Sequence, residues 1–199
     1  MAISYLENAG SAVQEGRTAA HPSPEASVRA GRVWEALRLA MGWTFLWAFL
    51  DKTLALGFAT GRDPETGVID FLGPAAWIRG GHPTEGFLKF GTKGPFAAFF
   101  QTLAGATWVD WVYMLSMVAI GLGLILGIAV RPAAVGGIIW MGLFYVAGSI
   151  WPENNPFLDN HIVEAMVLAG IAYVGAGTWL GLGRYYRRLP VVAKRPLLY

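Results

Sequence analysis

The sequence predicts an all-α membrane protein: a bundle of four transmembrane helices in the cell membrane, with both termini in the cytoplasm. Three observations lead there. Of 199 residues, 55% are hydrophobic and only 14% are charged, too few charges to wet the surface of a soluble domain of this length. The apolar residues come in long runs, not in the alternating or one-faced patterns of soluble strands and helices, which makes lipid the expected solvent. The basic residues gather on one side of those runs, and Lys and Arg are enriched on cytoplasmic flanks.

Taken in order, residues 1–32 are rich in Ala, Ser, Pro and Glu and contain HPSPEAS, with no apolar core ahead of a cleavage site. They read as a flexible cytoplasmic tail and not as a signal peptide. A four-helix domain over 33–184 follows, and 185–199 form a basic cytoplasmic tail. The first span is expected over about 34–58, its uncharged centre flanked by Arg38 and by Asp51-Lys52, where long side chains can snorkel. The second runs from about 109 to 130 and is expected to stop at Arg131-Pro132, because proline disfavours helix at the residue before it. The third follows at once, over about 133–151, making a tight hairpin. The fourth covers about 156–182, with Asn155 as N-cap, Pro156 at the first helical position and Asp159 in the first turn.

Between the first two spans lies a long outer loop, about 59–107, carrying apolar patches too short to cross roughly 30 Å of hydrocarbon. PFAAFFQTLAGATW reads as a short helix lying in the interface. With the N-terminus inside, ten basic residues fall on the cytoplasmic side (Arg17, Arg29, Arg32, Arg38, Arg131, Arg184, Arg187, Arg188, Lys194, Arg195) and five (Lys52, Arg62, Arg79, Lys89, Lys93) outside. Nine Trp and seven Tyr suit helix ends set in headgroup belts. The steps Gly123/Gly127 and Gly177/Gly181 are small-residue contacts. They pack helices within one chain on the plainer reading, and join copies of a homo-oligomer on the other.

Several chemistries drop out. There is no cysteine, so thiol exchange and iron–sulfur ligation are absent from this chain. No basic, aromatic-interleaved stripe supports nucleic-acid binding, and no metal-ligand cluster stands out. Polar residues within apolar spans are the candidates for function, and they gather at the outer side. His161 leads, since imidazole exchanges a proton near neutral pH, with Asp159 and with Glu164 one turn on. Such a pair suits the two protons that quinone reduction requires. Lys52 is expected to reach Asp159 as an ion pair or as part of the chemistry. Trp77, Trp108 and Trp111 are the candidates for holding a quinone ring. Ligation of haem by His82 and His161 is the weaker alternative.

Arg38, Gly42 and FLWAFLDK in the first span, RGGHPTEGFL in the loop, the LILGIAVRPAA hairpin and NPFLDNHIVEA followed by GLGR resemble the DoxX/DoxD family, most closely its actinobacterial members. The order and spacing of these motifs carry the resemblance over about residues 32–190. It implies a four-helix membrane protein linked to the membrane subunit of thiosulfate:quinone oxidoreductase, which passes electrons from thiosulfate to membrane quinone with the help of a second subunit. By position, Arg38, Lys52, Asn155, Asp159 and His161 fall in the family's recurring polar motifs, and the resemblance implies that Arg38 and Asn155 join the tryptophans in binding the quinone. Two further functional classes stand beside that one. The first is a membrane scaffold for a redox subunit or soluble redox enzyme, docked through RYYRR. The second is a small-solute transporter, for which the expected pair of broken helices is missing from the sequence.

Overall fold

The computed structural model describes residues 23–150, 152, 155–177, 180–195 and 198. It is helical, and among the described residues the only β-type pairing is an isolated bridge between Arg62 and Ile69. The long helices are α1 (Pro24–Leu54), α3 (Thr107–Leu126), α4 (Val130–Phe144) and α5 (Asn160–Val174), with the short α2 (Ala97–Gln101), α6 (Gly183–Tyr186) and α7 (Pro190–Ala193). The chain divides into two compact units, one ending at Val33 and one starting at Trp34.

In the first unit the described residues form the opening turns of α1. The Ser23 hydroxyl caps them, accepting from the Ala26 N–H at 3.2 Å. Arg29 and Glu25 pair one turn apart at 3.5 Å in solvent, an interaction worth little. Helix therefore begins earlier than the sequence suggests, and residues 24–32 of the expected tail belong to it. Residues 1–22 of that tail lie outside the described residues.

The second unit has its core where α1, α3, α4 and α5 meet, around Phe45, Met114, Met117, Leu124, Ala134, Leu168 and Ile171. Close approach there depends on small residues. A Cβ on Gly121 would lie 2.7 Å from the Leu46 backbone nitrogen, and one on Gly137 would lie 2.8 Å from Leu168 Cδ1. Gly123 of the expected first step also sits between helices, a Cβ there lying 3.0 Å from Ala133 Cβ, and Gly42 meets Ile125 in the same way. Gly127 is instead the C-cap of α3, left-handed at φ 71°, and Gly177 and Gly181 lie beyond α5 with φ of 129° and 109°.

Among the described residues, two helices are long and apolar enough to cross a membrane: Thr107–Leu126 with 20 residues and Val130–Gly148 with 19. The second of these includes α4 and most of a π-helical turn, Tyr145–Ser149. The hairpin joining them differs in detail from the sequence expectation. α3 ends at Gly127, four residues before Arg131, and Pro132 sits in the first turn of α4. No partner for a proline N–H is needed at that position. The last residue of the expected third span, Trp151, lies outside the described residues.

α5 is shorter than the expected fourth span. Asp159 is its N-cap, with the Ile162 N–H donating to Oδ1 at 3.1 Å, and Gly175 ends it at φ 64°. Asn155 and Pro156, expected to start the helix, lie in an exposed bend before it. Fifteen residues rise about 22 Å. Residues 178 and 179 of the expected span lie outside the described residues.

The loop after α1 is anchored by Asp51, buried at the end of that helix. Its carboxylate accepts from the N–H groups of Phe58 (3.1 Å) and Ala59 (2.9 Å). The chain then passes through a 3₁₀ turn (Trp77–Arg79) and a π-helical turn (Phe87–Gly91) to α2. Within the expected interfacial segment Ala97–Gln101 forms a short helix, with Phe96 and Phe99 exposed, and Thr107 and Trp108 already belong to α3.

Candidate functional site

A cavity of about 1550 Å³ opens beside α3 and α4, larger than the few hundred to about 1,000 Å³ of an ordinary small-molecule pocket. Val112, Ile120, Ile139, Leu143 and Phe144 make an apolar wall, and Phe87, Phe99 and Phe100 line it from the loop and α2. Its polar lining includes Lys52, His82, Thr84, Glu85, Tyr113 and His161. An extended apolar space with grouped polar side chains suits an amphiphile that has a long greasy part.

Two histidines in this cavity are each held by a carboxylate. His82 Nδ1 lies 2.7 Å from Asp110 Oδ2, and His161 Nδ1 lies 2.6 Å from Asp159 Oδ2. An ionised carboxylate can only accept. Nδ1 therefore carries the proton in both rings, leaving Nε2 for a ligand. Each carboxylate is itself fixed by its other oxygen. Asp110 Oδ1 accepts from the Thr84 N–H (3.0 Å) and hydroxyl (2.6 Å), and Asp159 Oδ1 caps α5. Asp110 is buried, while the His82 side chain keeps 39% of its exposure. Outer partners of this kind fix tautomer and ring orientation.

The surroundings complete the polar group. Lys52 Nζ donates to the Pro83 carbonyl at 2.8 Å and lies 5.9 Å from the centre of the Tyr113 ring. Tyr113 meets Trp140 edge-on at 5.3 Å, and Phe144 lies against the His161 ring at 5.7 Å. A hydrogen bond from Lys89 holds the Glu85 carboxyl below its usual range, which keeps a negative charge near His82 and Asp110.

Of the residues expected from sequence, Lys52, Trp108 and His161 line the cavity, and Asp159 orients His161. The expected Lys52–Asp159 pair does not form. The loop carrying Pro83 folds over the end of α1 and takes the ammonium, while His161 and the α5 N-terminus take the carboxylate. His161 pairs with Asp159, not with Glu164, which lies half-buried on α5 off the cavity lining. Trp111 stacks edge-on against Trp77 at 4.8 Å, outside the lining.

Arg38 is also away from the cavity. It is fully buried, paired with Glu35, and donates to the carbonyls of Leu124, Ile125 (3.1 Å) and Leu180 (2.7 Å). Its position is that of a cap on the end of α3. The His82–Asp110 dyad is the feature sequence reasoning did not assemble, since its members lie 28 positions apart, one in a loop. Comparison with protein-family models, with curated proteins and with solved structures returned no match.

Proposed function

We propose that this chain is a four-span membrane protein of DoxX type, N-in and C-in, whose cavity binds a membrane quinone for reduction. The observation that carries the functional reading is the apolar cavity of about 1550 Å³ with two histidine–carboxylate dyads in its lining. The membrane reading is supported by an inverted distribution of side chains. Glu35, Arg38, Asp51 and Asp110 are buried, while Trp43, Trp111, Leu115, Val135, Val163 and Met166 are exposed. Only 39% of the α3 window is buried, whereas a core helix of a soluble protein hides most of its surface.

The electron donor in this reading is thiosulfate, as the family resemblance implies. Two thiosulfate ions lose one electron each and join through a new sulfur–sulfur bond. The quinone takes both electrons, and its two oxygens take one proton each. Imidazoles held by carboxylates suit that proton transfer. Quinone reduction by the purified protein in lipid nanodiscs tests the reading, with thiosulfate as donor and His161→Ala as control. Turnover lost in the variant supports it; equal turnover in a folded variant overturns the role of His161.

The topology has its own test. The native chain lacks cysteine, so single cysteines at Thr66 and Arg188 can be labelled one at a time in intact cells. Labelling of the first from outside, and of the second only after permeabilisation, is expected. A second reading, a scaffold for a redox partner, is favoured by the exposed Arg184 and Arg188. Removing residues 185–199 would then shorten the list of proteins recovered in mild detergent.

A further inference from the structure

We propose that His82 and His161 each hold one of the two ring oxygens of the quinone through Nε2, an assignment that rests on the quinone reading above. Both rings line the same cavity. Both present Nδ1 to a carboxylate, at 2.7 Å and 2.6 Å, so in both the nitrogen left for a ligand is Nε2. The two dyads come from unrelated parts of the chain, one from the loop and the start of α3, the other from the start of α5. Each is anchored separately, by Thr84 in one case and by the α5 N-terminus in the other.

A ligand with one polar end, such as a fatty acid, needs a single such group. Two carboxylate-held imidazoles in the lining of one apolar cavity offer a ring bearing two oxygens a partner for each. The same geometry serves both oxidation states of that ring. An imidazolium keeps Nδ1–H on its carboxylate and donates Nε2–H to a quinone carbonyl. A neutral imidazole offers a bare Nε2 to a quinol hydroxyl. The charged groups around His82 are Asp110, Glu85 and Lys52, and the carboxylates nearest His161 in its chain are Asp159 and Glu164. Asp110 and Asp159 are positioning residues, since each acts through its histidine.

Infrared spectroscopy of a short-tailed quinone in nanodiscs tests the assignment, with one carbonyl or the other isotopically labelled. In the native protein both carbonyl bands are expected at lower frequency than in lipid alone. His82→Ala should return one band to the lipid position and leave the other, and His161→Ala should do the reverse. His82→Gln, which keeps a donor and serves if the alanine variant does not fold, should retain part of the shift. Two shifted bands in a folded His82→Ala protein, or bands never shifted in the native one, would overturn the assignment while leaving quinone binding intact. Failure of the native protein to bind the quinone at all would overturn the quinone reading and this assignment with it.

Discussion

Arg38 and Glu35, one turn apart on α1, form an ion pair of 2.8 Å with side chains 0% and 2% exposed. The pair ties three distant pieces of chain together. Arg38 reaches carbonyls at the end of α3 and at Leu180, and Glu35 accepts from the Gly177 N–H at 2.7 Å. Removing one charge of a buried pair strands the other, so Arg38→Met should cost about 3–5 kcal/mol. Changing both residues to apolar ones should cost less than the sum of the single changes. Unfolding in detergent, run as a double-mutant cycle, measures the difference.

Gly121 and Gly142 make an opposed pair of tests. A Cβ at Gly121 meets the backbone of α1 at 2.7 Å, whereas nothing lies within 4 Å of one at Gly142. Gly121→Val should destabilise by about 1–3 kcal/mol through overpacking. Gly142→Ala, inside α4, should stabilise by up to about 1 kcal/mol through helix propensity alone. Thermal melts of the two variants give the signs directly.

The helices were largely legible from hydropathy, and their ends and partners were not. The runs around α3 and α4 have the length and apolarity that the sequence announces. Their junction is decided by the left-handed Gly127 and Ala129, and the Arg131-Pro132 signal falls harmlessly within a first turn. For α5 the sequence put the N-cap at Asn155 and Asp159 in the first turn. The side chain that reaches an amide three residues on is Asp159. His161 and Lys52 were visible as polar residues in apolar surroundings. Their partners were hidden, because a contact such as His82 to Asp110 depends on how the loop folds back over the helix ends.

Asp110 should couple stability to the site. Asp110→Ala leaves the Thr84 N–H and hydroxyl, both buried, without their acceptor, a loss of about 1–3 kcal/mol. It also frees the His82 ring, so quinone affinity should fall more than in a variant of equal instability made elsewhere, such as Gly121→Val. Melting and ligand titration on the two variants separate the effects.

The loop after α1 carries a turn whose strength should depend on pH. The Thr66 N–H, then its hydroxyl, then the Glu65 N–H hold the Asp63 carboxyl below its usual range. A carboxyl lowered in the folded state favours folding above the ordinary carboxylate range, and its contribution fades as pH falls through the lowered value. Protection of the Thr66 amide against hydrogen exchange, corrected for intrinsic rates, should therefore drop as pH falls from the ordinary carboxylate range through the lowered value. In Asp63→Ala the protection should be low throughout and insensitive to pH.

Direct titration of a quinone into the nanodisc-held protein tests the central claim most closely, read by quenching of tryptophan fluorescence. Trp108 and Trp140 line the cavity and are the expected reporters. Ala119 lines it too and is exposed on α3, so Ala119→Trp, which adds its own fluorescence, should narrow the space along that helix. Saturable quenching in the native protein, with a higher half-saturating quinone concentration in Ala119→Trp, is the result this account predicts. Quenching that never saturates, or that saturates at the same concentration in Ala119→Trp, would contradict it.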